Sequence, residues 1–371
     1  MREVPQRLER LPSQYFAALL GRVAAAGSGV VDLGRGNPEV GPPAHVVEAL
    51  ARAAARPDVH GYSPFRGLAT LKDAVAERYR SVYGVELDPA REVAICPGAK
   101  TALIEFAQVT VERGGTILLP DPGYPDYLSA LALTATREAR LPLDPAGRPE
   151  WGAAATGAGA VYLNYPSNPV AAAAPDGVFE EAVSFAERTG AWVLHDFAYG
   201  DLVFDGREPR SFLAVPGARE HGIELFSMSK TYGMAGWRLG FVVGNAEIVR
   251  RLELLQDHVF AGVFRPMQEA AVAALTGPQD SVEARRAAYE QRRDRALAVV
   301  NGRCEGTFFV WFRLPEGLTV ERLLAEHGVA LAPGEGFGPR GAGWARLSLA
   351  VGDDVLDEGL ARLAAALAPM R

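Results

Sequence analysis

The chain has 371 residues, 49% hydrophobic and 22% charged, with a net charge of −7. That length supports one large or two ordinary domains whose cores need no staples, and the absence of a basic block speaks against nucleic acid as a partner. Cys96 and Cys304 lack metal-ligand spacing, so neither a disulfide framework nor a metal site is expected, and a reducing compartment is the default.

The N-terminal stretch MREVPQRLERLP is charged and has no apolar h-region. It therefore does not read as a signal peptide, and a cytoplasmic location is expected. No apolar run reaches membrane length. Pro5 to Ala26 carries Tyr15, Phe16, Leu19, Leu20 and Val23 at helical spacing and predicts one amphipathic helix. Val30 to Leu33 predicts a short strand, ending in the turn-rich Gly34-Arg35-Gly36-Asn37-Pro38. Helices are expected from Pro43 to about Ala55 and from Leu68 to Tyr83, the second with its charges on one face, with the loop His60 to Gly67 between them.

From Glu92 the plan strand, loop, helix recurs: REVAICPGAKTALIEFAQVTV, then GGTILLPDPGYPDYLSALAL, then GAVYLNYPSNP followed by VFEEAVSFAERTG. AWVLHDFAYGDLVF, IELFSMSK and WRLGFVVG add three more strands. Strands alternating with helices predict a mostly parallel sheet covered on both faces, with ligands at the carboxyl ends of the strands. After Asn245 the chain turns helical, with a long helix expected over Ser281 to Val300. The last part predicts a smaller α+β unit with a helix near Val320 to His327.

One stretch demands chemistry. Ser227-Met228-Ser229-Lys230 follows a strand, and Arg238 precedes the next. An isolated lysine at a strand end is most often a solvated one. A lysine between two buried strands, however, loses its charge readily, as a Schiff-base lysine must. Ser227 and Arg238 suit a phosphate. A carbonyl for the lysine and a phosphate for its neighbours describe pyridoxal 5'-phosphate.

Other motifs agree, although each has a plain reading as a turn, a cap or a surface residue. Asp196-Phe197-Ala198-Tyr199 follows a strand, and a carboxylate there can keep a pyridine nitrogen protonated. Pro97-Gly98-Ala99-Lys100-Thr101 opens a helix, whose first amides bind phosphate. Asn164 to Pro169, Asp121 to Tyr127, His60 to Gly67, Gly36, and Arg346 within Trp344 to Ser348 complete the set. A dinucleotide-binding reading of Gly34-x-Gly36 fails, because the third glycine is missing and Pro38 removes an N–H. Neither a G-x-S-x-G elbow nor an H-E-x-x-H motif occurs.

From about Pro12 to Val351 these motifs, in this order, resemble fold-type I pyridoxal-phosphate enzymes, the class I/II aminotransferase branch. The resemblance implies an α/β fold: a large domain with a mostly parallel, seven-stranded-type sheet covered by helices, and a smaller α+β domain. It implies an arm and part of the small domain at 1–45, the large domain at 46–280 and the small domain at 281–371. By the same resemblance Lys230 carries the cofactor as a Schiff base and relays the substrate proton. Asp196 pairs with the ring nitrogen, Tyr199 and Asn168 hydrogen-bond O3', and Tyr124 stacks on the ring. Ser227, Arg238 and the amides of Ala99 and Lys100 hold the phosphate. Gly36 and Arg346 hold the substrate carboxylate. Tyr62 reaches the phosphate of a neighbouring subunit, which implies a homodimer with shared active sites.

Val170-Ala171 stands where Thr-Gly is usual, and the spacer from Leu143 to Ala160 is shorter than usual. Tyr127 reads equally well as packing, and His195 as packing or hydrogen bonding rather than catalysis. VDLGRGNPEVGPPAHVVEAL, HGYSPFRG, PDPGYPDYLSALAL and HDFAYGDLVFDG are similar to a bacterial subgroup of methionine-salvage and LL-diaminopimelate-type aminotransferases. The implied reaction is ping-pong transamination between an amino acid and a 2-oxo acid, with methionine first and aromatic or other apolar amino acids next. A C–S lyase and an enzyme making an unusual amino acid share the same cofactor shell and stay open. A transcription-regulator sensor domain is not expected, because little chain precedes the first motif.

Overall fold

The computed structural model describes residues 4–152 and 157–368. The first and last three residues lie outside it. So do residues 153–156, which belong to the short spacer noted above. Among the described residues no helix is long and apolar enough to cross a membrane.

The single N-terminal helix expected from Pro5 to Ala26 is two helices, α1 (Gln6–Glu9) and α2 (Tyr15–Ala25). Pro12 lies in the break, where it lacks an amide and biases Leu11 away from helical backbone. Gln14 restarts the helix as its N-cap, its Oε1 accepting from the amides of Phe16 and Ala17. The strand β1 (Val31–Asp32) follows, then α3 (Ala44–Ala54) and α4 (Ala69–Tyr83).

The repeating part runs β2 (Val93–Cys96), α5 (Ala99–Thr110), β3 (Thr116–Asp121), α6 (Tyr127–Thr134), β4 (Arg137–Pro142), β5 (Ala160–Asn164), α7 (Val178–Thr189) and β6 (Trp192–Asp196). After it come α8 (Ala218–His221), β7 (Gly222–Ser227), α9 (Met228–Thr231) and β8 (Gly240–Gly244). The sheet has seven strands in the order β2-β8-β7-β6-β5-β3-β4. The pairs from β7 to β4 are parallel, whereas β8 runs antiparallel to both of its neighbours. The expected α/β architecture is borne out.

The reversal at β8 has a functional result. The connection 228–239 makes no crossover, and the chain returns antiparallel. The amino end of β8 therefore meets the carboxyl end of β7. Ser227 pairs with Gly240, and Gly240 with Cys96. One sheet edge thus collects the ends of β2, β7 and β6, together with Lys230 and Arg238 in the β7–β8 connection.

The strand β4 was not anticipated. Its Arg137, Glu138 and Arg140 disguise it, yet charge is what an edge strand carries to avoid further pairing. The charges of α4 are also not confined to one face. Lys72 and Arg78 are buried, paired with Glu253 and Asp201.

The chain continues through α10 (Ala246–Val259), α11 (Arg265–Thr276) and the long α12 (Asp280–Leu297). Beyond them lie β9 (Gly302–Arg303), β10 (Phe309–Arg313), α13 (Val320–His327), β11 (Val329–Ala330), β12 (Ala332–Pro333), β13 (Trp344–Ser348) and α14 (Asp353–Leu367). An antiparallel sheet of order β12-β13-β10-β9 forms here, and β1 pairs in parallel with β11. That pairing supports the proposal that residues 1–45 share a unit with 281–371, while 46–280 form the large domain. Separate apolar clusters lie on the two faces of the large sheet and beneath the small one.

Candidate active site

The carboxyl edge of the large sheet opens into a cavity of about 580 Å³. Lys230, Asp196, Arg238 and Arg346 all line it, although 150 positions separate Asp196 from Arg346 in the chain.

Lys230 sits in α9, whose N-cap is Ser227, with Oγ accepting from the Ser229 amide. Its Nζ donates to the carbonyl of Gly36 at 3.0 Å. Burial lowers the amine from its ordinary 10.5 to about 8, helped by the positive Arg346 and Arg238 and opposed by Asp196. A substantial fraction of this amine is neutral, and therefore nucleophilic, near physiological pH.

Asp196 ends β6. Burial raises its carboxyl above the usual range. The Tyr127 hydroxyl, the Ala198 amide and nearby positive charge hold it back. Tyr127 donates to Oδ2 at 2.8 Å, and the Ala198 amide to Oδ1 at 3.2 Å. Tyr127 is thus more than packing. No spacing in the sequence signalled that contact. Asn164 was also passed over. Its Nδ2 donates to the Asp196 carbonyl at 2.8 Å, and its Oδ1 accepts from the Asn168 amide at 2.7 Å, which ties the two motifs together.

Another part of the cavity lining is suited to an anion. Helix α5 begins at Ala99, so the amides of Ala99 and Lys100 are among its unpaired N-terminal donors. Arg238 stands beside them in left-handed backbone at φ 55°, its Nη1 donating to the Ala235 carbonyl at 2.9 Å. Gly98 is required here. Its φ is +87°, and a Cβ would fall 2.5 Å from Arg238 Nη2. Ser227 and Ser229 complete the wall. The Lys100 side chain turns to Asp126 at 2.9 Å, leaving its backbone as the part that faces an anion.

Arg346 is fully buried on β13. Nη1 donates to Asn168 Oδ1 at 2.8 Å and Nη2 to the Gly34 carbonyl at 3.1 Å, while Nε has no partner. The guanidinium lies 3.8 Å from the centre of the Phe309 ring. Burial lowers its pKa to about 10. A buried guanidinium held by neutral acceptors, with a donor to spare, calls for an anion from the cavity. Because Arg346 takes Asn168 Oδ1, the amide Nδ2 remains as that side chain's donor.

Tyr124 and Tyr199 line the same cavity, and Lys230 Nζ lies 5.9 Å from the centre of the Tyr199 ring. Phe16, Leu19 and Leu20 of α2 add an apolar wall that the motifs did not reveal. Tyr62 is the one predicted site residue that lies apart, 89% exposed and outside the cavity of its own chain. His195 is buried, its Nδ1 2.6 Å from Glu224 and its Nε2 3.0 Å from the Tyr165 carbonyl, in keeping with the expected packing or hydrogen-bonding role.

Known proteins are similar to this chain in sequence and fold. The chain is 43% identical, over 96% of its length and 94% of the relative's, to the L-glutamine–4-(methylsulfanyl)-2-oxobutanoate aminotransferase of Bacillus subtilis. It is 36% identical, over 96% of its length and 97% of the relative's, to the LL-diaminopimelate aminotransferase of Moorella thermoacetica. The structure of substrate-bound BacF from Bacillus subtilis superposes with a TM-score of 0.93 at 35% identity, covering 99% of this chain and 98% of that one. Residues 28–363 match the family described as aminotransferase class I and II, and with these likenesses the chain belongs to that family and is an aminotransferase.

Proposed function

We propose that the chain uses pyridoxal 5'-phosphate to move an amino group between an L-amino acid and a 2-oxo acid in two half-reactions. Methionine and 4-methylsulfanyl-2-oxobutanoate are the first pair to consider, and aromatic or other apolar amino acids come next. The relative named for that oxo acid and the apolar wall of Phe16, Leu19 and Leu20 support this choice.

The residues present fit the cofactor. It would bring an aldehyde and an electron-withdrawing ring. The cradle of Ala99, Lys100, Ser227 and Arg238 suits its phosphate, and the buried Asp196 suits its ring nitrogen. Tyr199 and the Nδ2 of Asn168 are donors for O3', and Tyr124 offers a ring face. Arg346 grips the carboxylate of the substrate, with Gly36 beside it. Lys230 is the amine that would hold the aldehyde, and its Nζ, when free and neutral, would take the proton from the substrate Cα and later return one. We also propose a homodimer in which Tyr62 of a second copy completes the cradle. The exposed Tyr62, Phe65, Val259 and Phe264 support a partner on that face.

The observation that carries the reading is an amine lowered to about 8 that shares one cavity with a buried carboxylate and an anion cradle. The test compares wild type with Lys230→Ala after loading with pyridoxal phosphate. With methionine alone, the wild type should convert one equivalent per site and stop until a 2-oxo acid is added. Lys230→Ala should lose both the absorbance of the lysine-bound cofactor and turnover. Full turnover by that variant would overturn the proposal, and continuous product release from the amino acid alone would point to a lyase.

A further inference from the structure

Lys230 lies in a helix of only four residues, Met228–Thr231. So short a helix has no stability of its own. Ser227 caps its beginning, and its end is held from outside. The Thr231 hydroxyl donates to Asp201 Oδ2 at 2.6 Å, with both residues buried.

Asp201 sits two residues beyond Tyr199, in the turn that follows β6. Its other oxygen accepts from Arg78 Nη2, and from the Tyr83 hydroxyl at 3.3 Å. Arg78 Nη1 in turn donates to the Tyr232 hydroxyl at 3.0 Å. The Arg78 guanidinium also faces the rings of Tyr83, Phe226 and Tyr232 at 5.8, 5.2 and 5.8 Å. Phe226 and Tyr232 flank the segment that carries Ser227 and Lys230. Tyr232 then donates to Gln279, the residue just before α12, at 3.0 Å.

None of Thr231, Asp201 and Arg78 lines the cavity. A buried ion pair is seldom more stable than an apolar replacement of its size, but it is directional. Here the direction joins the turn bearing Lys230 to the turn bearing Tyr199.

We infer that Asp201 and Thr231 are positioning residues for Lys230, the Thr231 hydroxyl fixing the lysine turn against the Tyr199 turn through the Asp201 carboxylate that Arg78 anchors. The inference rests on the role proposed for Lys230. Without the tether, α9 is free to shift, and Nζ leaves the Gly36 carbonyl and its enclosed position. The charges that face Nζ, on Arg346, Arg238 and Asp196, are untouched by a change at Thr231.

The decisive variant is Thr231→Val, which removes the hydroxyl and keeps the shape, with Thr231→Ser restoring the hydroxyl. In Thr231→Val the kcat for transamination should fall about ten- to a hundredfold with KM changed by less than about threefold, as expected when a reacting group is displaced by roughly 1 Å. The second readout needs no cofactor. In cofactor-free protein, the pH midpoint for acylation of Lys230 by acetic anhydride, followed by mass spectrometry, should rise from about 8 toward that of an ordinary lysine. Thr231→Ser should return both readouts to within about threefold and half a pH unit of wild type.

If Thr231→Val keeps wild-type kcat and the wild-type midpoint, the inference is wrong. If kcat falls while the midpoint stays, the role is merely structural and the inference is again wrong. Should the valine variant not fold, Thr231→Ala removes the same hydroxyl without adding bulk and is read the same way. If the wild type itself neither binds pyridoxal phosphate nor transaminates, the proposed function fails, and the acylation midpoint still decides whether the tether holds Lys230.

Discussion

Lys230 and Asp196 show how burial in one cavity acts on an amine and on a carboxyl. Burial disfavours charge on both, lowering the amine and raising the carboxyl. Because the amine titrates at about 8, cofactor-free protein should load pyridoxal phosphate with a rate that climbs through a midpoint near pH 8. An exposed lysine would place that midpoint above pH 10. Stopped-flow absorbance across pH measures it, and a midpoint near the ordinary lysine value would refute the local electrostatics described here. Tyr127 gives the complementary test. Its hydroxyl lowers the Asp196 pKa, so Tyr127→Phe should raise it further and move the acid limb of kcat to higher pH. A profile that coincides with wild type would show that the hydroxyl does not tune the carboxylate.

Among the elements, α4 and α10 are joined by Lys72 and Glu253, both buried. Such a pair gives little net stability over apolar residues, but breaking it leaves a charge stranded. Glu253→Ala should therefore cost about 3 kcal/mol, while the double change Lys72→Met with Glu253→Leu should recover most of it. Urea unfolding curves measure both. Equal losses in the single and double variants would mean that the stranded charge is not the cause. The β7–β8 connection makes a different point about elements. It makes no crossover, and the reversed β8 puts Ser227, Gly240 and Cys96 in register at one edge.

In the whole molecule, the proposed dimer predicts complementation. Lys230→Ala lacks the amine and Tyr62→Phe lacks the hydroxyl offered to the neighbour. When the two variants are unfolded together and refolded, a mixed dimer contains one site with both residues intact. Activity should rise above that of either variant alone, toward about half of wild type per mixed dimer if sites act independently. A mixture no more active than its parts would mean that Tyr62 serves no neighbouring site. Tyr62 is 89% exposed and lies outside the cavity of its own chain, as the proposed dimer requires.

Much of this was legible from residue order. Alternating strand and helix patterns implied the covered sheet, because apolar periodicity reports burial directly. The motif spacings singled out the lining residues Lys230, Asp196, Ser227 and Arg238, because each sits at or within three residues of a strand end, and the resemblance added Asn168. The break at Pro12 was missed although proline marks it, and β4 was missed because an edge strand is charged. Other facts have no local signal. The reversed direction of β8, the donation from Tyr127 to Asp196, the partnership of Arg346 with Asn168 and the Asp201–Thr231 tether join residues from different elements. Periodicity records which face of an element is buried but not what it is buried against. The parts of the site could be read along the chain, whereas the distances and electrostatics that make them one site arise only when the carboxyl ends of the strands converge on the same edge.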